Sequence, residues 1–306
     1  MASDILMVSE SEEDLRLDKL LAMEIPGCSR SYLQGILKEG HVLVNGGREK
    51  ASYRVREGDV IAFDIPEKIT PDIEPENIPL DILYEDEDVL VVNKPKGMVV
   101  HPAPGHYSGT LVNAVMYHCG NSLSGINGVL RPGIVHRIDR DTTGSVIICK
   151  NDHAHRSIAQ QLKDHTIVRR YLAICYGVLR EEERTIVGAI GRDPRDRRRM
   201  AVVPEESGRH AVTHIRVLDR YRGYTQVECR LETGRTHQIR VHMSFIGHPL
   251  LGDDVYAGSR ACPYRLEGQC LHASVLGFVH PSTGEYIETT APLPEYYRHL
   301  LEILPH

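Results

Sequence analysis

Residues 131–145 read RPGIVHRIDRDTTGS, and the apolar run VIIC follows at 146–149. A short run rich in β-branched residues, placed after the turn-forming Asp-Thr-Thr-Gly, predicts a buried strand that begins near residue 145. Asp139 therefore lies just before a strand, with Arg137 and Arg140 on either side of it in the sequence. A nearby positive charge favours the ionised form of a carboxylic acid. The segment is thus a candidate for covalent or acid–base chemistry at an electrophilic carbon.

Two other interpretations of this segment compete with a catalytic one. An isolated His-Arg-x-Asp also fits a structural ion pair on a loop, because ion-pair networks perturb pKa values as active sites do. A protein kinase loop reads His-Arg-Asp, whereas here Ile138 separates the Arg from the Asp. The sequence contains no Gly-rich phosphate loop of the Walker or dinucleotide type. The kinase interpretation is therefore excluded, and the structural ion pair stays open on these residues alone.

The size and composition are those of an ordinary globular protein. The chain has 306 residues, 25% of them charged and 41% hydrophobic, and this length favours about two domains. No apolar run approaches the ~20 residues that span a bilayer, and the acidic start MASDILMVSESEEDLR lacks the layout of a signal peptide. The seven cysteines are scattered without a Cys-x-x-Cys pair, which favours reduced thiols. We expect a cytoplasmic protein with no membrane partner.

The charge is unevenly distributed along the chain. The net charge is −6, and residues 1–78, with 16 acids and 9 bases, account for −7. The remainder is close to neutral and contains a cluster of arginines at 192–199. Binding to phosphates depends on where positive charge lies more than on its sum, although such clusters also occur on solvated loops. His237 and His242 lie five residues apart without the Glu of a zincin helix, so we predict no metal site.

The first unit, at residues 14–66, combines helical and strand patterns. The pattern RLDKLL…SRSYLQGILKEGHVLVNG…VREGDVIAF predicts two helices, the second ending at Gly40, and then two strands. It resembles an S4 RNA-binding domain over its full length. The resemblance implies that Arg30 and the turn around Lys38, Asn45 and Gly46 face RNA. From the pattern alone, a small α/β module that docks a protein fits as well.

Residues 67–79, EKITPDIEPENIP, contain three prolines and four acids, which predicts an extended linker. The second unit, at 80–306, joins short strands through Gly-rich turns more often than through helices. We therefore predict an α+β fold, with a mixed, largely antiparallel sheet and flanking helices, behind a small α/β module. Helices are expected at 110–118, 152–165, 236–246 and 294–304, and Thr236 is placed to cap the third.

Five segments of the second unit, in order, resemble the RluA/RluD-type pseudouridine synthases. They are NKPKGMVVHP at 93–102, RPGIVHRIDRDTTGS at 131–145, VRRYLA at 168–173, LETGRTHQIRVH at 231–242, and LHA with HPSTGE at 271–273 and 280–285. The family usually has Leu where this chain has Ile138, and Thr-Ser-Gly at 142–144. Both changes preserve shape and polarity. The first two segments are most similar to the branch that acts on large-subunit ribosomal RNA.

The resemblance implies a role for each matching residue. Asp139 is expected to be essential, with Tyr171 stacked on the uracil and Arg235 paired with the Asp139 carboxylate. Arg137 is expected to fill the place that an extruded base leaves. Further RNA contacts are expected from His136, from Arg240 as a phosphate ligand, from Arg30, and from Lys94, for which a structural role fits equally well.

The implied reaction turns a uridine within RNA into pseudouridine and requires no cofactor. The base must be extruded from its stack, and the branch resemblance points to 23S ribosomal RNA or a large-subunit precursor as the partner. Attack of Asp139 on C1′ and removal of the C2′ proton both stay open. Two alternatives remain: a glycosidase that releases free base with Asp139 and Asp141, and a non-catalytic RNA-binding protein in which only the first unit functions.

Overall fold

The computed structural model describes residues 4–25, 28, 30–65, 73–102, 107–120, 122–126, 128, 131–196 and 199–306, without the side chain of residue 31. The chain divides into two compact units, residues 1–70 and 71–306. Every helix in the described part of the chain is too short or too polar to traverse a bilayer.

The small unit packs two helices on an antiparallel sheet that has three strands among its described residues. Its elements are β1 (Asp4–Met7), α1 (Leu17–Glu24), α2 (Arg30–Glu39), β2 (Val42–Val44) and β3 (Val60–Phe63). Apolar residues recur every three or four positions in both helices and are buried together: Leu17, Leu20, Leu21, Leu33, Ile36 and Leu37. Both predicted helices and both predicted strands are confirmed. β1 was not predicted, because its apolar residues Ile5 and Met7 are exposed and only main-chain pairing with β3 defines it.

The large unit is built on one mixed sheet with nine strands among the described residues. The strands of this unit are β4 (Ile82–Glu85), β5 (Val89–Lys94), β6 (Thr143–Cys149), β7 (Val168–Tyr176), β8 (Glu183–Val187), β9 (Ala189–Arg192), β10 (Met200–Val203), β11 (Val212–Tyr221), β12 (Tyr224–Leu231), β13 (Leu271–Val279) and β14 (Tyr286–Thr290). The sheet order is β4-β5-β6-β13-β7-β12-β11-β8, with β14 also beside β13, while β9 and β10 form a separate hairpin. Only β6 and β13 run parallel among these strands. The predicted largely antiparallel α+β fold is confirmed.

The helices of the large unit lie close to their predicted positions. They are α3 (Leu111–Cys119), α4 (Asp152–Lys163), α5 (Gln238–Phe245) and α6 (Glu295–Ile303). The prediction that Thr236 caps α5 is wrong. The residue at the N-cap is His237, in the left-handed conformation with φ 58°, and its side chain makes no capping hydrogen bond. Instead, the carbonyl oxygen of the Gln238 side chain accepts hydrogen bonds from the Thr233 hydroxyl and the Arg235 N–H, which fixes the turn before α5.

The glycine of the Thr-Thr-Gly segment permits the one parallel strand pair. Gly144 has φ 108°, and a Cβ there would collide with the backbone of Ala273 on β13. Only glycine allows β6 and β13 to approach this closely in that conformation. The segment therefore anchors the loop that carries Asp139 against the centre of the sheet.

The second half of the predicted linker is packed against the large unit. Ile73 is only 2% exposed and belongs to the main apolar core. The Asn113 side chain donates to the carbonyl of Glu74 at 2.8 Å, and the Asn113 carbonyl accepts from the Glu76 N–H at 3.0 Å. Residues 73–79 are thus not a free linker, because these contacts hold them to α3. Residues 66–72, which include the rest of the predicted linker, lie outside the described residues.

Candidate active site

A cleft of about 520 Å³ opens on the large unit where four of the five family-like segments meet. Its wall is formed by the loop before β6, the end of α4, the start of β7, the turn between β12 and α5 with the first turn of that helix, and the start of β13. Asp139, Tyr171 and Arg240 all line it. The fold therefore brings together residues that are up to about 100 positions apart in the chain.

Arg240 holds the Asp139 carboxylate, and the prediction that Arg235 does so is wrong. Nη1 of Arg240 donates to Oδ2 of Asp139 at 3.0 Å, while its Nε and Nη2 donate to the two oxygens of Asp253 at 2.7 and 2.9 Å. The side chain of Arg240 is 6% exposed, and that of Asp253 is fully buried. Burial opposes the charge of the guanidinium, but Asp253 and then Asp139 raise its pKa above the ordinary value. Arg240 is therefore not placed as a phosphate ligand.

Arg235 lies in the turn before α5 and donates through Nε to the carbonyl of His210 at 2.9 Å. It lines the cleft but forms no ion pair with the described carboxylates. The residue at which α5 begins explains why Arg240 and not Arg235 reaches Asp139. Because His237 adopts the left-handed conformation, the helix begins after it and its first buried turn directs Arg240, not Arg235, to Asp139.

His237 lies beside the other oxygen of the same carboxylate. Its Nε2 is 3.8 Å from Oδ1 of Asp139, and its Nδ1 is 2.8 Å from the hydroxyl of Tyr256. That hydroxyl also accepts from the N–H of Met200 on β10, so its own proton is available for Nδ1. Burial lowers the pKa of His237, with Asp139 opposing the shift, and this favours the neutral ring. A neutral ring that accepts at Nδ1 presents Nε2–H towards Asp139.

Tyr171 lines the cleft from β7, as predicted, and is almost fully buried. Burial raises the pKa of its phenol, which is therefore neutral at physiological pH. His136 also lines the cleft, and its Nε2 accepts from the N–H of Ile147 at 3.0 Å. Burial lowers the pKa of His136 to about 3, so the ring is neutral and its proton is on Nδ1. Any contact of His136 with RNA is thus restricted to Nδ1–H.

Arg137 is exposed at the mouth of the cleft, directly before the loop turns inward to Asp139. Its Nη1 lies 3.4 Å from Nε2 of His101. Burial, together with the charge of Arg137, lowers the pKa of His101 to about 4, so that ring is a neutral acceptor. One weak hydrogen bond leaves this long side chain able to move into the space of an extruded base.

Of the two roles expected for Lys94, the structure supports the structural one and contradicts a contact with RNA phosphate. Its side chain is 0% exposed, and Nζ donates at 2.8 Å to each of three carbonyls, those of Pro95, Met98 and Arg140. Burial lowers its pKa to about 7. Three acceptors match the three donors of an ammonium group, so Lys94 ties the turn after β5 to the loop that carries Asp139.

Replacement of Lys94 with Met should lower the free energy of unfolding by about 2–4 kcal/mol, because three buried carbonyls lose their donor. RNA affinity of the folded fraction should stay unchanged. Urea unfolding and RNA binding below the transition check both expectations. Reduced affinity without reduced stability would instead assign Lys94 to the RNA interface.

In the small unit, Arg30 donates to the buried carboxylate of Asp18 at 3.0 Å while its side chain stays half-exposed. Lys38 borders a surface hollow together with Arg48 and Lys50. Asn45 has a positive φ in its turn, and its side chain bonds Asp59 and the N–H of Val60. The side chain of Asn45 thus stabilises the turn, and the hollow is lined by three basic residues and by Glu49.

Sequence reasoning missed Asp253, Tyr256, His237 and Arg169 as parts of the site. Asp253 and Tyr256 lie in a loop after α5 that carries no chemical motif of its own. His237 was considered only as a metal ligand, although it stands within the LETGRTHQIRVH segment. Of the arginine cluster at 192–199, residues 197 and 198 lie outside the described residues, while the guanidinium of Arg199 lies 5.2 Å from the centre of the Tyr256 ring.

A family model described as RNA pseudouridylate synthase matches residues 88–245, and a model described as S4 domain matches residues 15–61. The first of these covers more than half of the chain and contains Asp139, Tyr171 and Arg240. The chain therefore belongs to the RNA pseudouridylate synthase family, whose members are isomerases that act on RNA.

Individual relatives agree with this assignment. The chain is 52% identical to the uncharacterized RNA pseudouridine synthase YlyB of Bacillus subtilis, over 98% of this chain and 97% of that one. It is 43% identical to the ribosomal large subunit pseudouridine synthase D of Zymomonas mobilis, over 99% and 98% of the two chains. Among solved structures, human RNA Pseudouridylate Synthase Domain Containing 1 matches with a TM-score of 0.58 and 28% identity, over 72% of this chain and 85% of that one.

Proposed function

We propose that the protein isomerises one or more uridines of 23S ribosomal RNA, and that Asp139 starts the reaction on a uridine extruded into the cleft. The observation that carries the proposal is a carboxylate that stays 19% exposed in the cleft while a buried guanidinium fixes one of its oxygens. The same cleft contains a buried phenol, Tyr171, whose flat face suits a uracil. The predicted cytoplasmic location belongs to the same proposal; all seven cysteines are unpaired.

The proposed chemistry exchanges one glycosidic bond for another. Asp139 either attacks C1′ with Oδ1, forming an ester as the C1′–N1 electron pair leaves with the uracil, or removes the C2′ proton to give a glycal. The uracil then turns within the cleft and C5 bonds to C1′. In the first route the C1′–Oδ1 ester bond breaks as this bond forms, and in the second Asp139 returns the proton to C2′ of the glycal. N1 takes up a proton, and the proton on C5 passes to solvent. Arg240 keeps Oδ2 in place, and Nε2–H of His237 faces Oδ1. Positioning of this kind is a large part of catalysis when a reactant is held beside its nucleophile.

Binding of the RNA is assigned to both units. Arg137 at the mouth of the cleft replaces the extruded base in its stack, which offsets part of the cost of extrusion, a few kcal/mol. In the small unit, the hollow bordered by Lys38, Arg48 and Lys50 is lined by three basic residues and one acid, Glu49, within a unit that is acidic as a whole. The ribosomal target is supported by the name of the Zymomonas mobilis relative and by the sequence similarity over nearly the whole chain.

The structure weakens the glycosidase alternative. Asp141, its second carboxylate, is bonded by the neighbouring Arg140 at 3.0 and 3.1 Å and is not among the residues that line the cleft. A pair of catalytic carboxylates must face the sugar from opposite sides. The non-catalytic alternative is opposed by the intact set of Asp139, Tyr171 and Arg240 in one cleft.

Mapping of pseudouridines in ribosomal RNA from cells with and without the gene tests the target. We expect one or a few positions of 23S RNA to lose pseudouridine in the deletion strain and to regain it with the purified protein. Loss confined to transfer RNA, or no loss anywhere, would contradict the proposed target. Release of free uracil by the purified protein would favour the glycosidase.

A further inference from the structure

Arg169 is a buried cation of the cleft without an acidic partner among the described residues. It is 6% exposed, lies on β7 and lines the same cleft as Asp139. Its Nη2 donates to the carbonyl of Glu232 at 3.1 Å, and its Nε is buried with no hydrogen-bond partner. The carboxylate of Glu232 is itself bonded to His214 at 2.6 Å. A buried charge is normally paired, so this guanidinium lacks a counter-ion.

The surroundings of Arg169 make its positive charge still more costly. Burial lowers its pKa, and the charge of Arg235 adds to the shift, with Tyr171 opposing it. Lys163 and Arg235 line the same cleft. The carboxylate of Asp139, also in this cleft, is already bonded to Arg240. The cleft therefore holds an excess of positive charge on the side of Arg169.

We propose that Arg169 binds a backbone phosphate of the RNA strand immediately beside the extruded uridine. The inference rests on the proposed function and assigns a substrate contact within that site. RNA carries one anionic phosphate per nucleotide, and a guanidinium binds phosphate through two donors at once. Alternation along β7 places Arg169 and Tyr171 on the same face, about 7 Å apart at the usual rise of a strand. A phosphate bound by Arg169 would therefore lie within one nucleotide of a uridine whose base is stacked on Tyr171.

The guanidinium of Arg169 packs directly against Gly234, which lies in the turn of the LETGRTHQIRVH segment. A Cβ at Gly234 would come within 2.6 Å of Nη1 of Arg169. Because Nη1 is the end of a flexible side chain, an alanine at 234 would displace the guanidinium and leave the backbone in place. Gly234→Ala is thus a matched way to move Arg169 without removing it.

The test compares wild type, Arg169→Met and Gly234→Ala on RNAs that carry a methylphosphonate in place of one phosphate beside the target uridine. In wild type, one neutral linkage should weaken binding and raise KM by about 10–100-fold, the scale of a lost charge-assisted hydrogen bond. Arg169→Met should show the same loss on natural RNA and no further loss on the modified RNA. Its kcat should stay within about threefold, and the salt dependence of binding should fall by about one phosphate contact. Gly234→Ala alone should raise KM. Added to Arg169→Met, it should cause no further increase.

An equal methylphosphonate effect in wild type and Arg169→Met would overturn the inference. A fall in kcat with a shifted pH profile and unchanged KM would also overturn it, and would show that Arg169 acts on Tyr171 instead. If wild type converts none of the RNAs, the proposed function is contradicted, independently of the role of Arg169. Arg169 is then judged on the binding of a uridine-containing hairpin RNA, where an unchanged salt dependence in Arg169→Met counts against it.

Discussion

Asp139→Asn is expected to abolish pseudouridine formation while RNA binding stays within about threefold of wild type. An amide can neither attack C1′ nor take the C2′ proton, and removal of a catalytic nucleophile or base costs on the order of 10⁴-fold or more in kcat. The fold should tolerate the change, because the side chain is partly exposed and Arg240 keeps its two bonds to Asp253. Single-turnover conversion and equilibrium binding, measured on the same RNA, check the two expectations.

Asp141→Asn is the matched control for this variant. The two carboxylates are two residues apart, but that of Asp141 is paired with Arg140 and does not line the cleft. Its kcat should stay within about threefold of wild type, as for most substitutions outside a site. Equal losses in both variants would mean that the loop as a whole is disturbed, and appreciable turnover by Asp139→Asn would remove Asp139 from the chemistry.

Arg240→Met is expected to reduce both activity and stability. The substitution removes the group that donates a hydrogen bond to Asp139, and it leaves the fully buried Asp253 without its charge partner. Breaking a buried ion pair from one side costs about 3–5 kcal/mol, while loss of positioning at the nucleophile should cost about 10²–10³-fold in kcat. Thermal or urea unfolding and single-turnover kinetics of the soluble fraction measure the two effects.

The variant Arg240→Met with Asp253→Asn separates these two losses. With both charges removed, most of the stability should return, whereas activity should stay low because Asp139 still lacks its donor. Arg235→Met is the second control, and it should leave stability within about 0.5 kcal/mol of wild type. Restored activity in the double variant, or a stability loss in Arg235→Met as large as in Arg240→Met, would contradict the assigned pairing.

The sequence was sufficient for the fold and for the loop that carries Asp139. Buried strands and amphipathic helices leave strong periodic patterns. Gly144 was predicted in a turn before the strand, whereas the structure places it within β6, close to Ala273 of β13. Edge elements such as β1 escaped prediction, because exposed edge strands carry no such pattern. The packing of residues 73–79 against the large unit was not predicted either, because only one residue there, Ile73, is a buried apolar side chain, and a single residue forms no pattern.

The partner of Asp139 could not be read from the motif alone. Arg235 and Arg240 stand in the same segment, and the choice between them depends on where α5 begins, which the left-handed His237 determines. Asp253, the second partner of Arg240, joins the site through tertiary structure only. The burial of Lys94 could not be predicted for the same reason. The fold brings together three carbonyls that bind its ammonium group, and the sequence alone does not show this.

Release of tritium from RNA labelled at C5 of its uridines tests the central claim most directly. Formation of the C5–C1′ bond displaces the hydrogen on C5 into water, so the label reports the new bond itself. Wild type should release one tritium per pseudouridine formed and no free uracil, and Asp139→Asn should release none above background. Undiminished release by Asp139→Asn, or uracil set free without tritium release, would contradict the account.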